Sequence, residues 1–301
     1  MIRKLLSFST LALALGTTAY AQAPAPAAAY PTKPIRLIVP FPPGGGTDIL
    51  SRLVATKLTE GAKWTVVADN KAGAGGTIGI GEAVKAAPTG YDLVMGQKDN
   101  LVIGPWLYKN LSWDPTKDLT PVAHVAYTPV VIATSVNSKY KTLADVVNGA
   151  KAAPGTITYG SPGNGTSIHL AGHLFEQAAG VKLSHIPYKG SNPALMDALA
   201  GNVDLLVSSL PDVPTVAESG FKDFDVSTWY GVFAPAGTPA AVVTTVNAEI
   251  NKLLATADMK AAIQAQGAEP EAMSPAQLGT LLKKEYTQWK GIVEASGAKI
   301  E

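Results

Sequence analysis

The sequence predicts an α/β protein made of two units, in each of which a mostly parallel sheet is flanked by helices. Three observations lead to this fold class. Short apolar runs typical of buried strands alternate with amphipathic helical segments. The arrangement of strand, glycine-rich turn and helix occurs twice, at "IVPFPPGGGTDIL" and at "YGSPGNGTSIHL". Apolar residues make up 47% of the chain and charged residues 16%, which indicates a folded globular protein.

The first half of the pattern begins with the apolar run "IRLIVP", which predicts a strand over 35–40. A helix follows over 47–59, because Leu50, Leu53 and Val54 fall on one of its faces. The run "WTVVADN" predicts a strand at 64–70, "TIGIGEAVKA" a helix at 77–86, and "YDLVMG" a strand at 91–96.

The second half repeats this scheme. Thr142 is a predicted N-cap, Gly180 ends a predicted helix, and Pro193 suits the first position of another. The further strands are predicted at 130–135, 156–161, 184–188, 203–209 and 229–235, and the further helices at 142–152, 166–180, 193–200, 238–254 and 275–296.

Residues 1–21 have the pattern of a secretory signal peptide. The basic start "MIRK" precedes the apolar run "LLSFSTLALALG", which is too short to span a bilayer, and the small residues "AYA" fit a cleavage site. A Pro/Ala spacer follows at 22–32. Cleavage would change the net charge from +1 to −1, because Arg3 and Lys4 would be removed. A net charge this close to zero does not indicate a nucleic-acid partner.

The chain contains no cysteine. This excludes a disulfide scaffold, a thiolate metal site and a cysteine nucleophile. An exported protein of this size without disulfides is typical of a bacterial periplasm, and we expect it to be a monomer there.

Both glycine-rich turns lead into the N-terminus of a helix. The N–H groups there lack acceptors and the helix dipole is positive, so the turn binds an anion without a charged side chain. Both turns also follow the carboxyl ends of strands, where α/β sheets bind ligands. Beyond residue 21, arginine occurs only at 36 and 52, which argues against an arginine clamp on the anion. The alternative is that both turns are only tight connections.

Motifs of other function classes are incomplete. "GAGGTIGIG" lacks the third glycine of a dinucleotide fingerprint, because that position is Ile78. There is no Walker loop and no Gly-x-Ser-x-Gly elbow. His169 and His173 precede Glu176 on one helix, but Leu170 stands where a zincin needs glutamate. We therefore expect no cofactor, no metal and no enzymatic activity.

The segments "PFPPGGGTDILSR", "NKAGAGGTIG", "YGSPGNGTSIHLAG" and "WYGVFAPAGTP", in this order, resemble the Bug family. These are periplasmic solute receptors of tripartite tricarboxylate transporters, and the resemblance covers essentially the whole mature chain. It implies a two-lobed periplasmic binding protein of type II (Venus flytrap), with lobe one at 30–128 plus 229–301 and lobe two at 129–228. It also implies a small organic carboxylate as ligand (a di- or tricarboxylate, an acidic amino acid or an aromatic acid). A membrane transporter or sensor would be the partner.

The resemblance places one ligand carboxylate at the first glycine loop and the facing contacts at the second. The residues that it implies are Phe41, Pro43, Gly44, Gly45, Thr47 and Asp48 in the first loop and Ser161, Asn164, Thr166 and His169 in the second, with Tyr188 nearby. Asp48 either pairs with Arg52, the interpretation we favour, or accepts from an amino-acid ammonium. Trp229 and Tyr230 are core or rim aromatics, or line the floor of the cleft.

Two features depart from the family. After "YDLVMG" the chain reads "QKDN", where relatives carry small hydroxyl residues. Gln97 and Lys98 join the predicted site, and Lys98 either supplies a charge for a distal carboxylate or is a solvated loop lysine.

The connection 210–228 lacks a helix–strand piece that relatives carry, so lobe two is either shortened but working or compromised. The alternatives to a carboxylate receptor are accordingly a non-binding paralogue and, less favoured, a periplasmic hydrolase with His169 as base.

Overall fold

The computed structural model describes residues 30–208 and 226–298 of the 301-residue chain. The predicted signal peptide, most of the 22–32 spacer and most of the 210–228 connection lie outside the described residues. None of the helices in the two described ranges combines the length and the apolar character that crossing a membrane requires.

The described residues form ten strands and ten helices. The strands are β1 (Ile35–Val39), β2 (Val66–Asn70), β3 (Asp92–Gln97), β4 (Leu119–Pro129), β5 (Val131–Ala133), β6 (Thr158–Ser161), β7 (Ser184–Pro187), β8 (Leu205–Ser208), β9 (Ser227–Pro235) and β10 (Glu269–Pro270). The helices are α1 (Gly46–Ala62), α2 (Thr77–Lys85), α3 (Gly104–Leu107), α4 (Pro115–Asp118), α5 (Leu143–Ala152), α6 (Ser167–Ala179), α7 (Ser191–Ala200), α8 (Ala240–Leu254), α9 (Ala257–Gln264) and α10 (Pro275–Ser296). A π-helical turn at Asp99–Ile103 leads into α3.

The strands form two sheets, with the orders β10-β4-β9-β3-β1-β2 and β5-β8-β6-β7. This confirms the predicted α/β class with two helix-flanked sheets. The expectation of mostly parallel pairing is met in the four-stranded sheet and among β1, β2 and β3. It is wrong for the rest of the six-stranded sheet, where β9 runs antiparallel to both β3 and β4, and β10 antiparallel to β4. The physical reason is that the chain leaves this sheet along β4 and returns along β9, in the opposite direction.

The end of β4 lies beside the start of β9. Pro129 pairs with Ser227 at the end of the β4–β9 ladder, and the Val130 N–H donates to the Val226 carbonyl at 3.0 Å. The chain then enters β5 at once. These two strand ends lie close to the predicted lobe boundaries at 128/129 and 228/229, which stay predictions.

The predicted elements are present with small shifts at their ends, but the strands β4 and β10 and the helices α3, α4 and α9 were not predicted. In β4 the register shifts between Pro121 and Ala123 and again between His124 and Ala126. Such bulges break the two-residue alternation by which a strand is found in a sequence. Helix α7 begins at Ser191, so Pro193 occupies its third position and not its first. Proline fits there because the first N–H groups of a helix have no acceptor within it.

Strand β1 lies in the interior of the six-stranded sheet and is buried at every position except Arg36. Such a continuous apolar run is typical of a strand covered on both faces. The Arg36 guanidinium contacts three carboxylates, those of Asp69 (3.2 Å), Glu82 (2.6 Å) and Asp92 (2.8 Å). This arginine therefore ties β1 to its two neighbouring strands and to α2.

Close packing of α2 on the end of β1 gives a test of the fold. A Cβ atom on Gly79 would lie 2.8 Å from the Lys71 carbonyl oxygen and 2.9 Å from the Pro40 Cα, both backbone atoms. We expect Gly79→Ala to lower the free energy of unfolding by about 1–3 kcal/mol. The control Gly291→Ala lies in α10 with no atom within 4 Å, and it should raise this free energy by about 0.5–1 kcal/mol. Urea denaturation measures both, and a stabilised Gly79→Ala variant would contradict the packing.

Candidate functional site

The first glycine loop connects the end of β1 to the start of α1, and residues 42–46 are exposed. Gly44 has φ +85°, a conformation that glycine adopts without strain. The N–H groups of Gly45, Gly46 and Thr47 find no acceptor among the described residues. The loop therefore presents a row of free donors at the positive end of a 17-residue helix, which suits an anion.

The carboxylate of Asp48 lies beneath this loop and is 3% exposed. It accepts from the Gly44 N–H at 2.9 Å, from Arg52 Nε at 3.0 Å and from Asn70 Nδ2 at 2.8 Å. Burial alone would raise the pKa of Asp48, but the hydrogen bonds from Arg52, Gly44 and Asn70 outweigh it and hold the pKa below its usual range. The structure thus contains the favoured Asp48–Arg52 pair, and this carboxylate has little capacity left for a ligand ammonium.

Both arginines of the described residues form ion pairs with carboxylates of the protein. Arg36 holds three carboxylates beside β1, and Arg52 holds Asp48 and the side-chain oxygen of Asn70 at 2.8 Å. An anion at the first loop would therefore be bound by backbone N–H groups, as the sequence predicts, and not by an arginine.

The segment after β3 lies against the first loop. Thr47 Oγ1 donates to Gln97 Oε1 at 2.7 Å, so these two predicted residues are brought together. The Gln97 N–H in turn donates to Asn100 Oδ1 at 3.0 Å. Because Oδ1 accepts this bond, the other terminal atom of Asn100 is the amide donor Nδ2. That atom is buried and has no partner among the described residues.

Asn100 Nδ2 borders the same space as Phe41. A Cβ atom on Gly76 would lie 2.8 Å from Asn100 Nδ2 and 3.1 Å from Phe41 Cζ. A buried amide donor without an acceptor costs free energy unless a ligand or water supplies one. The sequence analysis missed Asn100, although it is the last residue of "QKDN", a polar segment at the carboxyl end of a strand.

In the second glycine loop, most of the predicted side chains bond to one another. Thr166 caps α6 by accepting from the His169 N–H at 3.1 Å, and its hydroxyl donates to the Gly163 carbonyl at 2.9 Å. Ser161 Oγ lies 2.7 Å from His185 Nε2. The side chain of Asn164 is exposed and makes no hydrogen bond to a described residue. Of the predicted polar groups of this loop, Asn164 is thus the one free for a ligand.

Tyr188 lies at the edge of this loop. Its hydroxyl donates to Asp197 at 2.6 Å, and its ring packs against Gly160. Its position near the second loop agrees with the prediction, while a role in binding stays a prediction.

His169 and His185 stack on each other, with ring centroids 4.0 Å apart. The Gly165 N–H donates to His169 Nδ1 at 3.2 Å, which requires this nitrogen to be unprotonated. Burial lowers the pKa of both histidines to about 4, and for His169 the charges of His185 and His173 add to the effect. Both rings are therefore neutral at physiological pH.

The two glycine loops are connected through residues that the sequence analysis did not place in the site. The Ser167 N–H, in the first turn of α6, donates to Asp99 Oδ1 at 2.9 Å, and the Ser167 hydroxyl bonds to that of Thr228 on β9. Tyr230 borders the first loop, since a Cβ atom on Gly46 would lie 3.3 Å from its hydroxyl. Burial raises the pKa of Tyr230 to about 12, and the neighbouring charge of Asp99 adds to this.

Trp229 and Tyr230 have different surroundings, and a place for Tyr230 on the floor of the cleft stays a prediction. Tyr230 borders Gly46 of the first loop, whereas Trp229 is 2% exposed and donates to Glu285 at 2.5 Å. The pair alternates as strand residues do, with one side chain on each face of β9.

The side chain of Lys98 points away from both glycine loops, toward α10. Its side chain is 2% exposed, its ammonium lies 2.9 Å from Glu285 Oε1, and it sits 5.2 Å from the ring centroid of Trp289. It lines a separate cavity of about 760 Å³ beside α10, to which no residue of the glycine loops contributes. The reading of Lys98 as a solvated loop lysine is therefore wrong. Its role toward a distal carboxylate stays a prediction that this position does not support.

Over the described ranges, no group of three or more histidine, cysteine, aspartate or glutamate side chains is placed to hold a metal ion. His173 Nδ1 lies 3.5 Å from Glu176 Oε2, while His169 faces His185. The two histidines of α6 thus have different neighbours despite their helical spacing.

The neutral histidine pair predicts a pH dependence of stability. Unfolded histidine has a pKa of about 6.5, so between this value and about 4 the unfolded chain binds protons that the folded chain does not. Stability should be highest above pH 6.5 and fall as the pH decreases, by at most about 1.4 kcal/mol per pH unit for each histidine. Urea denaturation at pH 7.0 and 5.5 measures this fall, which should be smaller in His185→Gln. An equal fall in variant and wild type would contradict the assignment.

Comparison with known proteins agrees with this arrangement. The sequence profile described as the tripartite tricarboxylate transporter family receptor matches residues 50–211 and 207–298. The chain is 36% identical over 292 residues to a UPF0065 protein encoded in the tcbD–tcbE intergenic region of a Pseudomonas species, covering 88% of this chain and 87% of the relative. It is 34% identical over 311 residues to protein BugT of Bordetella pertussis, covering 94% and 95% of the two chains.

Two solved structures extend the likeness to the fold. A Rhodopseudomonas palustris protein solved with adipate has a TM-score of 0.79 at 29% identity and covers 90% of this chain and 99% of its own. MatC from the same species, solved with bound malate, has a TM-score of 0.72 at 26% identity and covers 88% and 100%. The two-lobed α/β fold is thereby confirmed, and the chain belongs to the tripartite tricarboxylate transporter family of receptors, as its resemblance to the Bug proteins predicts.

Proposed function

We propose that this protein is a periplasmic receptor that captures a small organic carboxylate between its two glycine loops. One carboxylate of the ligand lies at the first loop and the remainder faces the second loop. The adipate and malate bound by the solved relatives support this class of ligand. The role is binding and delivery, which agrees with a family of receptors.

The observation that carries the proposal is the set of donors around the first loop. Free N–H groups of Gly45, Gly46 and Thr47 stand at a helix N-terminus, and the buried Nδ2 of Asn100 lies nearby without a partner. Backbone donors and one amide suit a carboxylate, which accepts several hydrogen bonds at once. The nearest arginine, Arg52, is paired with Asp48, so the site binds through hydrogen bonds held in place by the fold.

Ligand binding is coupled to closure of the two lobes in this proposal. A ligand shifts a conformational equilibrium only if it contacts the favoured state better than the other. The second loop contributes through Asn164, and the ligand thus bridges the two sheets. The closed form would then be presented to membrane subunits of a transporter, or to a sensor, by a monomeric receptor.

The predicted shortening of the connection 210–228 is the reason to consider one alternative, a paralogue that no longer binds. The family profile matches the chain in two pieces, 50–211 and 207–298, which overlap at the start of this connection. Binding measurements separate a working receptor from such a paralogue.

The first test is thermal unfolding of the protein without its predicted signal peptide. The panel holds citrate, malate, succinate, adipate, aspartate, glutamate, nicotinate and terephthalate. An acid present at a hundred times its Kd should stabilise the protein by about 2.7 kcal/mol and raise the Tm by several degrees. A broad transition that no acid shifts would contradict the proposal and support the non-binding paralogue.

The second test changes the donor at Asn100. Asn100→Asp keeps the oxygen that accepts from Gln97 and replaces the free donor by a carboxylate oxygen, so the affinity for a stabilising acid should fall by about tenfold or more. Asn137→Asp makes the same chemical change at an exposed residue outside both loops and should leave the affinity unchanged. Isothermal titration calorimetry measures both. An unchanged Kd in Asn100→Asp would place the carboxylate elsewhere.

A further inference from the structure

The N-terminus of α6 already holds a carboxylate that belongs to the protein. Asp99 Oδ1 accepts from the backbone N–H of Ser167 at 2.9 Å. Ser167 is 1% exposed, and its hydroxyl is bonded to Thr228, so the contact is fixed from both sides. The position at which the second loop would receive an anionic group of a ligand is therefore taken.

No cation of the described residues pairs with Asp99. Lys98 precedes it in the chain, but the Lys98 ammonium lies 2.9 Å from Glu285. Arg36 and Arg52 are bound to other carboxylates. Asp99 is half-buried and forms no ion pair with a described residue. Burial raises the pKa of its carboxyl group, against the hydrogen bonds from Ser167 and the charge of Lys98, and a ligand cation beside it would favour the charged form.

Asp99 and Asp48 thus differ in what they offer to a ligand. Asp48 is 3% exposed and accepts from Gly44, Arg52 and Asn70. Asp99 accepts hydrogen bonds from Ser167 alone among the described residues. Asp99 also interacts electrostatically with Tyr230, which borders the first glycine loop. A ligand held at the first loop would therefore extend toward Asp99 and not toward Asp48.

We propose that Asp99 determines the ligand class, so that the receptor takes acids with one carboxylate and one ammonium group and disfavours dicarboxylates of the same length. This inference rests on the proposed function. The ligand carboxylate lies at the first glycine loop, and its ammonium group donates to Asp99. A second carboxylate there would meet a like charge, which lowers affinity, whereas an ammonium forms a charge-assisted hydrogen bond. Adipate and malate, the dicarboxylates bound by the solved relatives, belong to the disfavoured class.

The test compares acids of matched length by isothermal titration calorimetry. The pairs are succinate with β-alanine, glutarate with 4-aminobutyrate, and adipate with 6-aminohexanoate. In at least one pair, the wild-type protein should bind the amino acid about tenfold or more tightly than the dicarboxylate. Asp99→Asn keeps the oxygen that accepts from Ser167 and removes the charge, so this ratio should fall by about tenfold or more. Asp258→Asn removes the same charge from an exposed residue that pairs with Lys57, and it should keep the wild-type ratio.

Each result decides the inference. A wild-type protein that binds every dicarboxylate at least as tightly as its amino partner overturns it, whether or not Asp99→Asn folds. An unchanged ratio in a folded Asp99→Asn variant also overturns it. If no acid of the three pairs binds, the inference fails as well, while the proposed function is judged separately by the wider panel. A dicarboxylate that stabilises the wild type, with no response to amino acids, would uphold the proposed function and reject the role of Asp99.

Discussion

The antiparallel pairing of β4 with β9 relates the two glycine loops, because the chain leaves the six-stranded sheet at the end of β4 and β9 begins beside that end. Their ladder runs from Leu119 opposite Pro235 to Pro129 opposite Ser227, and it ends where Val130 bonds to Val226. Thr228 and Tyr230 stand near that end of β9. Thr228 bonds to the second loop and Tyr230 borders the first. Two strands bonded along their length move as a unit, so a hinge located here would bring the loops together as rigid bodies.

The basic side chains nearest the first loop are already paired with carboxylates of the protein, and this limits how the loop can bind an anion. Arg36 and Arg52 are engaged with carboxylates of the fold, and Lys98 is buried against Glu285. Donors without a formal charge remain, namely the N–H groups of the loop and the amide of Asn100. Such donors have fixed directions because the backbone holds them, so they select the shape of an anion as well as its charge. At the second loop the N-terminus of α6 is occupied by the carboxylate of Asp99, which accepts from the Ser167 N–H.

The parts of the fold that follow from local pattern were predictable. Strand β1 is a short apolar run between turn residues, and α1 and α6 follow glycine-rich turns and show helical periodicity. Strand β4 was missed because two bulges interrupt its alternation, and a bulge is stable only when a partner strand supplies the hydrogen bonds. The antiparallel half of the six-stranded sheet escaped prediction for the same reason, since the direction of pairing depends on where the chain returns.

The sequence by itself determined the class of the fold, the two glycine loops and the Asp48–Arg52 pair, because each depends on residues that are close together in the chain. Only the tertiary structure decided which polar groups stay free. The segment "QKDN" sends Gln97 and Asn100 to the first loop, Lys98 to Glu285 on α10, and Asp99 to the N-terminus of α6. Apart from the bond between Asn100 and Gln97, these partners lie from about 50 to nearly 190 residues away in the chain, and no local pattern encodes such contacts. A side chain is free or paired according to what packs against it, and that is a property of the folded chain.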